Sequence, residues 1–192
     1  MTYNPDIHHR RSIRLKEYDY SQAGAYFITL GTHNHICLFG DIVDTQMTLN
    51  EAGRILHSLW EELPLQYPGV EIDEFVIMPN HIHGIILLDI CSDEENYRRK
   101  IEMAPRPLGE IVRGFKARVT VTLNRFRKSP RTKIWQRNYY EHIIRDYKTL
   151  NVIREYIINN PQQWALDREN PEATLSEKKK TSTNSKDEAW QV

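Results

Sequence analysis

Long hydrophobic runs, paired cysteines and a surplus of either charge are all missing from this chain of 192 residues. No uninterrupted apolar segment approaches the ~18 residues that a membrane span needs, and no apolar stretch follows the basic N-terminal residues as it would in a secretory signal. A cytoplasmic protein with no membrane partner is expected. The two cysteines, Cys37 and Cys91, lie far apart without CxxC spacing, which argues against both a zinc knuckle and a disulfide framework. Lys and Arg total 26, as do Asp and Glu, so the sum favours no class of charged partner. No internal repeat is apparent.

The length suits one well-cored domain, and 40% hydrophobic with 27% charged residues is ordinary for a globular protein. Charge is distributed unevenly, however. From Arg98 to Arg137 there are thirteen Lys or Arg against two acids, Glu102 and Glu110, which predicts one basic surface.

Residues 1–20 read as a polar, basic arm. Ala25 to Thr32 alternates like a half-buried strand. Thr48 and Glu51 have capping-box spacing ahead of an apolar helical stripe through Leu49, Ala52, Leu56, Leu59 and Leu63. Val70–Ile77 and the apolar run from His81 form a predicted hairpin about the turn signal Pro79-Asn80. A charged loop from Asp89 to about Pro107 precedes a second helix with Leu108, Ile111, Val112, Phe115, Val119 and Leu123 on one face. Tyr140–Arg145 reads as a fourth strand. Asp146 then caps a helix carrying Leu150, Ile153 and Ile157, which Pro161 is expected to stop.

The order β-α-β-β-α-β is that of an α+β ferredoxin-like sandwich, an antiparallel sheet with two helices on one face; the additional C-terminal helix could cover the other. A domain over residues 21–166 is expected. From Asp167 to residue 192 the chain is charged, poor in apolar residues and predicted to be a disordered tail.

Two features of this layout carry chemistry. His81 and His83 sit two apart on a strand, so both point to one face and can share one metal ion. Tyr156 and Asn160 sit four apart on the last helix, so a phenol and an amide oxygen are neighbours there. If that helix crosses the open sheet face, two imidazoles, an amide oxygen and a tyrosine hydroxyl meet. Such a set suits Mg²⁺ or Mn²⁺ with a substrate phosphate completing the shell. Position before Pro161 disfavours helical geometry at Asn160, and the adjacent Tyr139 and Tyr140 are rival phenols.

The segments MPNHIHGI, WQRNYYEHIIR and YIINNP, in that order, resemble the single-tyrosine HUH transposases, most nearly their REP-associated branch. RRSIRLKEYDYSQAGAYFITLGTHN resembles that group's opening strand, so the likeness covers roughly residues 8 to 165. The resemblance implies a DNA transposase or strand transferase. It would cleave and rejoin single-stranded, hairpin-bearing DNA through a 5′-phosphotyrosine, without an external energy source. It implies Tyr156 as nucleophile and His81, His83 and Asn160 as metal ligands. It leaves monomer and homodimer open.

Arg113, Lys116, Arg118, Arg125, Arg127 and Lys128, with Trp135 beyond them, combine cations that can track phosphates with a ring that can stack on bases. By the same resemblance, Arg10, Arg11 and Arg14 would grip a hairpin stem or flanking strand. Two other classes fit the residues as well: a noncatalytic single-strand-binding module on the same scaffold, and a metal-dependent nuclease using water as nucleophile.

Overall fold

The computed structural model describes residues 19–20, 22–88, 106–167, 169–171 and 173. Arg10, Arg11, Arg14, Cys91 and most of the expected arm, charged loop and tail lie outside them. Among the described residues no helix is long and apolar enough to cross a membrane.

Among the described residues six strands and four helices follow in chain order. They are β1 (Gly24–Gly31), β2 (Gly40–Val43), β3 (Gln46–Leu49), α1 (Glu51–Glu61), α2 (Leu63–Gln66), β4 (Val70–Ile77), β5 (His81–Leu88), α3 (Leu108–Phe126), β6 (Tyr140–Ile144) and α4 (Tyr147–Gln163). The main sheet is antiparallel with order β4-β5-β1-β6, the strand order of the expected ferredoxin-like sandwich.

Strand alternation divides the core in two. Tyr26, Ile28, Leu30, Ile82 and Ile86 pack under α1 and α3 against Leu56, Trp60, Ile111 and Phe115. On the opposite face Phe27 and Ile85 meet Ile153 and Ile157 of α4. Gly84 sits beneath Trp60, and a Cβ there would approach the indole Cζ2 to 2.4 Å. The bare strand at this point leaves room for the Trp60 indole against the residue that follows His83.

One hairpin is additional to the expected elements, and two expectations need correction. The β2–β3 hairpin was not foreseen: its turn residues Asp44 and Thr45 have φ of 50° and 63°, left-handed values that Asn-Gly would have signalled and Asp-Thr does not. The first helix is capped by Asn50, whose side chain accepts from Gly53 N at 3.0 Å, while Thr48 is paired with Asp41 in β3. Pro161 does not stop α4, which continues to Gln163. Asn160 therefore remains helical. Asp146 does cap this helix, accepting from Thr149 N at 2.8 Å, and Trp164–Leu166 follows as one 3-10 turn.

Candidate active site

β5 turns its odd-numbered residues toward α4. His81 and His83 thus lie on the same face as Ile85, at the end of the strand where the sheet meets the helix. Both are buried, at 0% and 5% exposure. Their Nε2 atoms are 3.0 Å apart, close enough to ligate one cation together.

Each imidazole is held from behind. Thr29 of β1 pairs with His83 across the ladder, and its hydroxyl lies 2.8 Å from His83 Nδ1. Asn80 Oδ1 lies 2.8 Å from His81 Nδ1. Both Nε2 atoms are thereby turned inward, an arrangement typical of ligating histidines with a fixed outer ring nitrogen. Phe27 stacks against His83 at a centroid distance of 5.5 Å, and Trp164 lies 6.1 Å from the His81 ring.

From α4, the Tyr156 hydroxyl comes within 3.3 Å of His83 Nε2, with its ring edge-on to Phe27 at 6.0 Å. Asn160, one turn further on, is 2% exposed, and its Oδ1 is buried without a hydrogen-bond partner. A buried acceptor without a donor carries a desolvation cost, which a cation at this place would offset.

Asp167 was assigned to the tail by sequence reasoning but belongs to this cluster. A ligand atom from each of His81, His83 and Asp167 falls within 4.8 Å of the others, and Asp167 Oδ2 is 3.9 Å from His81 Nε2. Glu169 and Asn170 also fold back here: Asn80 Nδ2 donates to Glu169 O at 2.6 Å, and Asn170 Nδ2 donates to Trp164 O at 3.0 Å. Only the turn after α4 brings this carboxylate back, and no spacing in the sequence announces it.

Helix α4 is pinned to the sheet by Arg154, which donates through Nε to Asp73 Oδ1 at 2.8 Å and through Nη2 to Asp73 Oδ2 at 2.5 Å. Asp73 lies where β4 shifts register between Ile72 and Phe75. The Arg154 hydrogen bond holds the Asp73 carboxyl below its ordinary range, against the opposing effect of burial. Tyr156 stands two residues beyond, on the helix that this clamp ties to β4.

The two rival tyrosines separate. Tyr139 packs with the core under α1 and α3, on the sheet face away from the histidines. Tyr140 lies on the α4 side, 6.1 Å from Phe27; the Tyr156 hydroxyl lies 3.3 Å from His83 Nε2.

The basic residues divide as well. Arg113, Arg125, Arg127 and Lys128 are exposed, Arg113 beside Glu110 at 3.1 Å. Lys116 is not a free surface cation, since Nζ donates to Gln136 O at 2.7 Å and Asn138 O at 3.2 Å; burial pushes its amine down to about 8. Arg118 is paired with Glu62 of the α1–α2 junction. Trp135 is a core residue rather than a stacking platform: it packs near Phe39 and Phe115 and donates Nε1 to Lys116 O at 3.2 Å. Phe126, 51% exposed, is the ring left among the exposed cations. The chain then returns to the histidine end of the sheet, where Gln136 N donates to Gly31 O at 2.9 Å and Gly31 is paired with His81.

A ferredoxin-like sheet whose His-x-His strand faces a tyrosine-bearing helix is a transposase-like fold. A solved REP-associated tyrosine transposase bound to a REP hairpin shares it, with a TM-score of 0.52 at 22% identity over 78% of this chain and 73% of that one. In sequence, the chain is 29% identical over 147 residues to the "Putative REP-associated tyrosine transposase" of Haemophilus influenzae, covering 74% of this chain and 73% of that protein. It belongs to one family with an uncharacterized Haemophilus influenzae protein, 48% identical over 174 residues, 86% of this chain and 96% of the relative. No protein-family model matches. The resemblance to REP-associated tyrosine transposases read from the HIH and YIINNP segments therefore holds in fold and sequence.

Proposed function

We propose that this protein is a cytoplasmic DNA transposase or strand transferase that cleaves and rejoins single-stranded, hairpin-bearing DNA through Tyr156. The observation that carries the reading is the approach of the Tyr156 hydroxyl to His83 Nε2, at 3.3 Å, beside a second inward-facing imidazole.

His81, His83 and Asn160 would hold Mg²⁺ or Mn²⁺, with Asp167 as a further oxygen donor. Two imidazoles with amide and carboxylate oxygens suit such ions, and the orphaned Asn160 Oδ1 fits a ligand role. A divalent ion there would stabilise charge on the phosphoryl oxygens and help activate a phenol whose ordinary pKa is ~10.

In the cleavage step the Tyr156 oxygen bonds to phosphorus and the bond from phosphorus to the 3′ oxygen breaks. The phenolic proton passes to solvent, and the departing oxygen takes up a proton as a free 3′-hydroxyl. Attack by a 3′-hydroxyl on the 5′-phosphotyrosine reverses the step, so the bond energy is retained without an external energy source. Phe27 and the Asp73–Arg154 clamp hold the ring and its helix in place.

A hairpin is the proposed substrate because the solved structural relative is bound to one. Arg113, Arg125, Arg127 and Lys128 would track its phosphates, with residues 1–20 as an additional basic arm. The test is incubation with end-labelled hairpin DNA and Mn²⁺, then a denaturing gel. A protein-linked 5′ product with a free 3′ end is expected; cleavage without adduct would indicate water as nucleophile, and binding without cleavage a noncatalytic module.

A further inference from the structure

We infer that Asn80 is a positioning residue that fixes which nitrogen of His81 carries the proton, presenting Nε2 to the site as a lone pair. The inference deepens the metal-centre reading above and rests on it for its functional meaning.

The side-chain amide of Asn80 is oriented by its surroundings. It is 1% exposed. Nδ2 donates to two main-chain carbonyls from distant parts of the chain, His35 O at 3.1 Å and Glu169 O at 2.6 Å. Flipping the amide would set an oxygen against two oxygens, so the assignment of nitrogen and oxygen is chemically determined. Oδ1 is then the atom at 2.8 Å from His81 Nδ1. An amide oxygen only accepts, so Nδ1 must donate, and the neutral ring carries no proton on Nε2.

The consequence passes to His83. With His81 Nε2 as acceptor, a hydrogen bond across the 3.0 Å contact between the two Nε2 atoms takes its proton from His83 Nε2 in the metal-free protein, and in that tautomer the Thr29 hydroxyl, 2.8 Å from His83 Nδ1, is the donor of its pair. Ligation by His83 needs the reverse arrangement, and a hydroxyl, unlike an amide oxygen, can turn from donor to acceptor. Asn80 therefore fixes one histidine, whereas Thr29 lets the other change. Because Asn80 is held by His35 O and Glu169 O, the 3-10 turn at His33–His35 and the segment after α4 are part of this outer support.

The experiment is ¹⁵N–¹H correlation spectroscopy of the imidazole nitrogens in EDTA-treated, metal-free protein, with His81 assigned by His81→Gln. Wild type should show His81 protonated on Nδ1 with Nε2 bare. Asn80→Ala should lose this pattern, and Mn²⁺ affinity followed by electron paramagnetic resonance should fall about 10–100-fold. A wild-type His81 carrying its proton on Nε2 overturns the inference whatever the variants do. So does an Asn80→Ala protein of unchanged circular dichroism whose tautomer and Mn²⁺ affinity match wild type. Should Asn80→Ala fail to fold, the wild-type spectrum decides. If the wild-type tautomer is as expected but no Mn²⁺ binds, the role of Asn80 stands and the metal-centre reading falls.

Discussion

The Tyr156 hydroxyl lies 3.3 Å from His83 Nε2, joining a side chain of α4 to one of β5 across the face of the sheet. The contact is made by helix packing, since Ile153 and Ile157 on either side of the tyrosine are buried against Phe27 and Ile85. Tyr156→Phe keeps the ring, and with it the edge contact to Phe27, so thermal stability should change by less than about 1 kcal/mol. Cleavage and the protein–DNA adduct should both vanish on a denaturing gel. Tyr139→Phe should keep the adduct, because Tyr139 packs on the other sheet face. Tyr140→Phe should keep it too. An adduct surviving only in Tyr156→Phe would reassign the nucleophile.

The clamp between Asp73 and Arg154 gives a pH-dependent test. Removing one partner leaves a half-buried charge short of its hydrogen bonds, and Arg154→Ala should cost about 1.5–3 kcal/mol in urea unfolding at pH 7. The Arg154 bond lowers the folded Asp73 pKa, so the unfolded state binds the proton more readily. The clamp's contribution is accordingly complete above the unfolded carboxylate value of about 3.9 and is lost as pH falls through the lower folded one. The stability gap between wild type and Asp73→Asn should therefore narrow below about pH 4. A gap independent of pH would show that Asp73 does not act through its charge.

Periodicity made much of the site legible. Spacing of two on a strand set His81 beside His83 on one sheet face, and spacing of four on a helix set Tyr156 and Asn160 on one helix face, because those faces follow from backbone geometry alone. The strand order followed from the succession of elements. What could not be read was set by contacts distant in sequence. Asp167 sits at the start of a charged run and reaches the histidines only through the turn after α4. Trp135 and Lys116 looked like members of a basic, aromatic surface, yet the fold turns the indole into the core and aims the ammonium at two carbonyls. The Asp44-Thr45 turn hid a hairpin because Asp tolerates left-handed backbone but β-branched Thr45 seldom adopts it.

This division among the cations predicts different consequences for two sets of substitutions. Neutralising the exposed Arg125, Arg127 and Lys128 together should weaken single-strand binding. It should also reduce the slope of log K against log salt by about two, near 0.7 for each phosphate that the variant no longer neutralises. Lys116→Ala should instead loosen the loop before β6 and lower the melting temperature with little change in that slope. Trp135→Ala should cost about 3–5 kcal/mol through the cavity it leaves. An unaltered salt slope in the triple variant, measured by fluorescence anisotropy, would return those residues to a merely solvated surface.

Asp167 supplies the sharpest test of the metal centre, because it entered the site from the structure and not from the motif. Its Oδ2 is 3.9 Å from His81 Nε2, while Oδ1 accepts from Glu169 N at 2.7 Å, so one oxygen anchors the segment and the other is directed at the histidines. Asp167→Asn preserves shape and an acceptor but removes the negative charge that attracts a divalent ion. Mn²⁺ affinity should fall about tenfold, within the span seen when the support of a ligand set is disturbed. The melting temperature of the metal-free protein should change little. His81→Ala and His83→Ala should abolish binding, and EDTA should stop cleavage by wild type until Mn²⁺ is restored. If Asp167→Asn binds Mn²⁺ as tightly as wild type while both histidine variants fail, the ion is held without the carboxylate. Asp167 would then serve only to fasten the chain end against the pocket through Glu169.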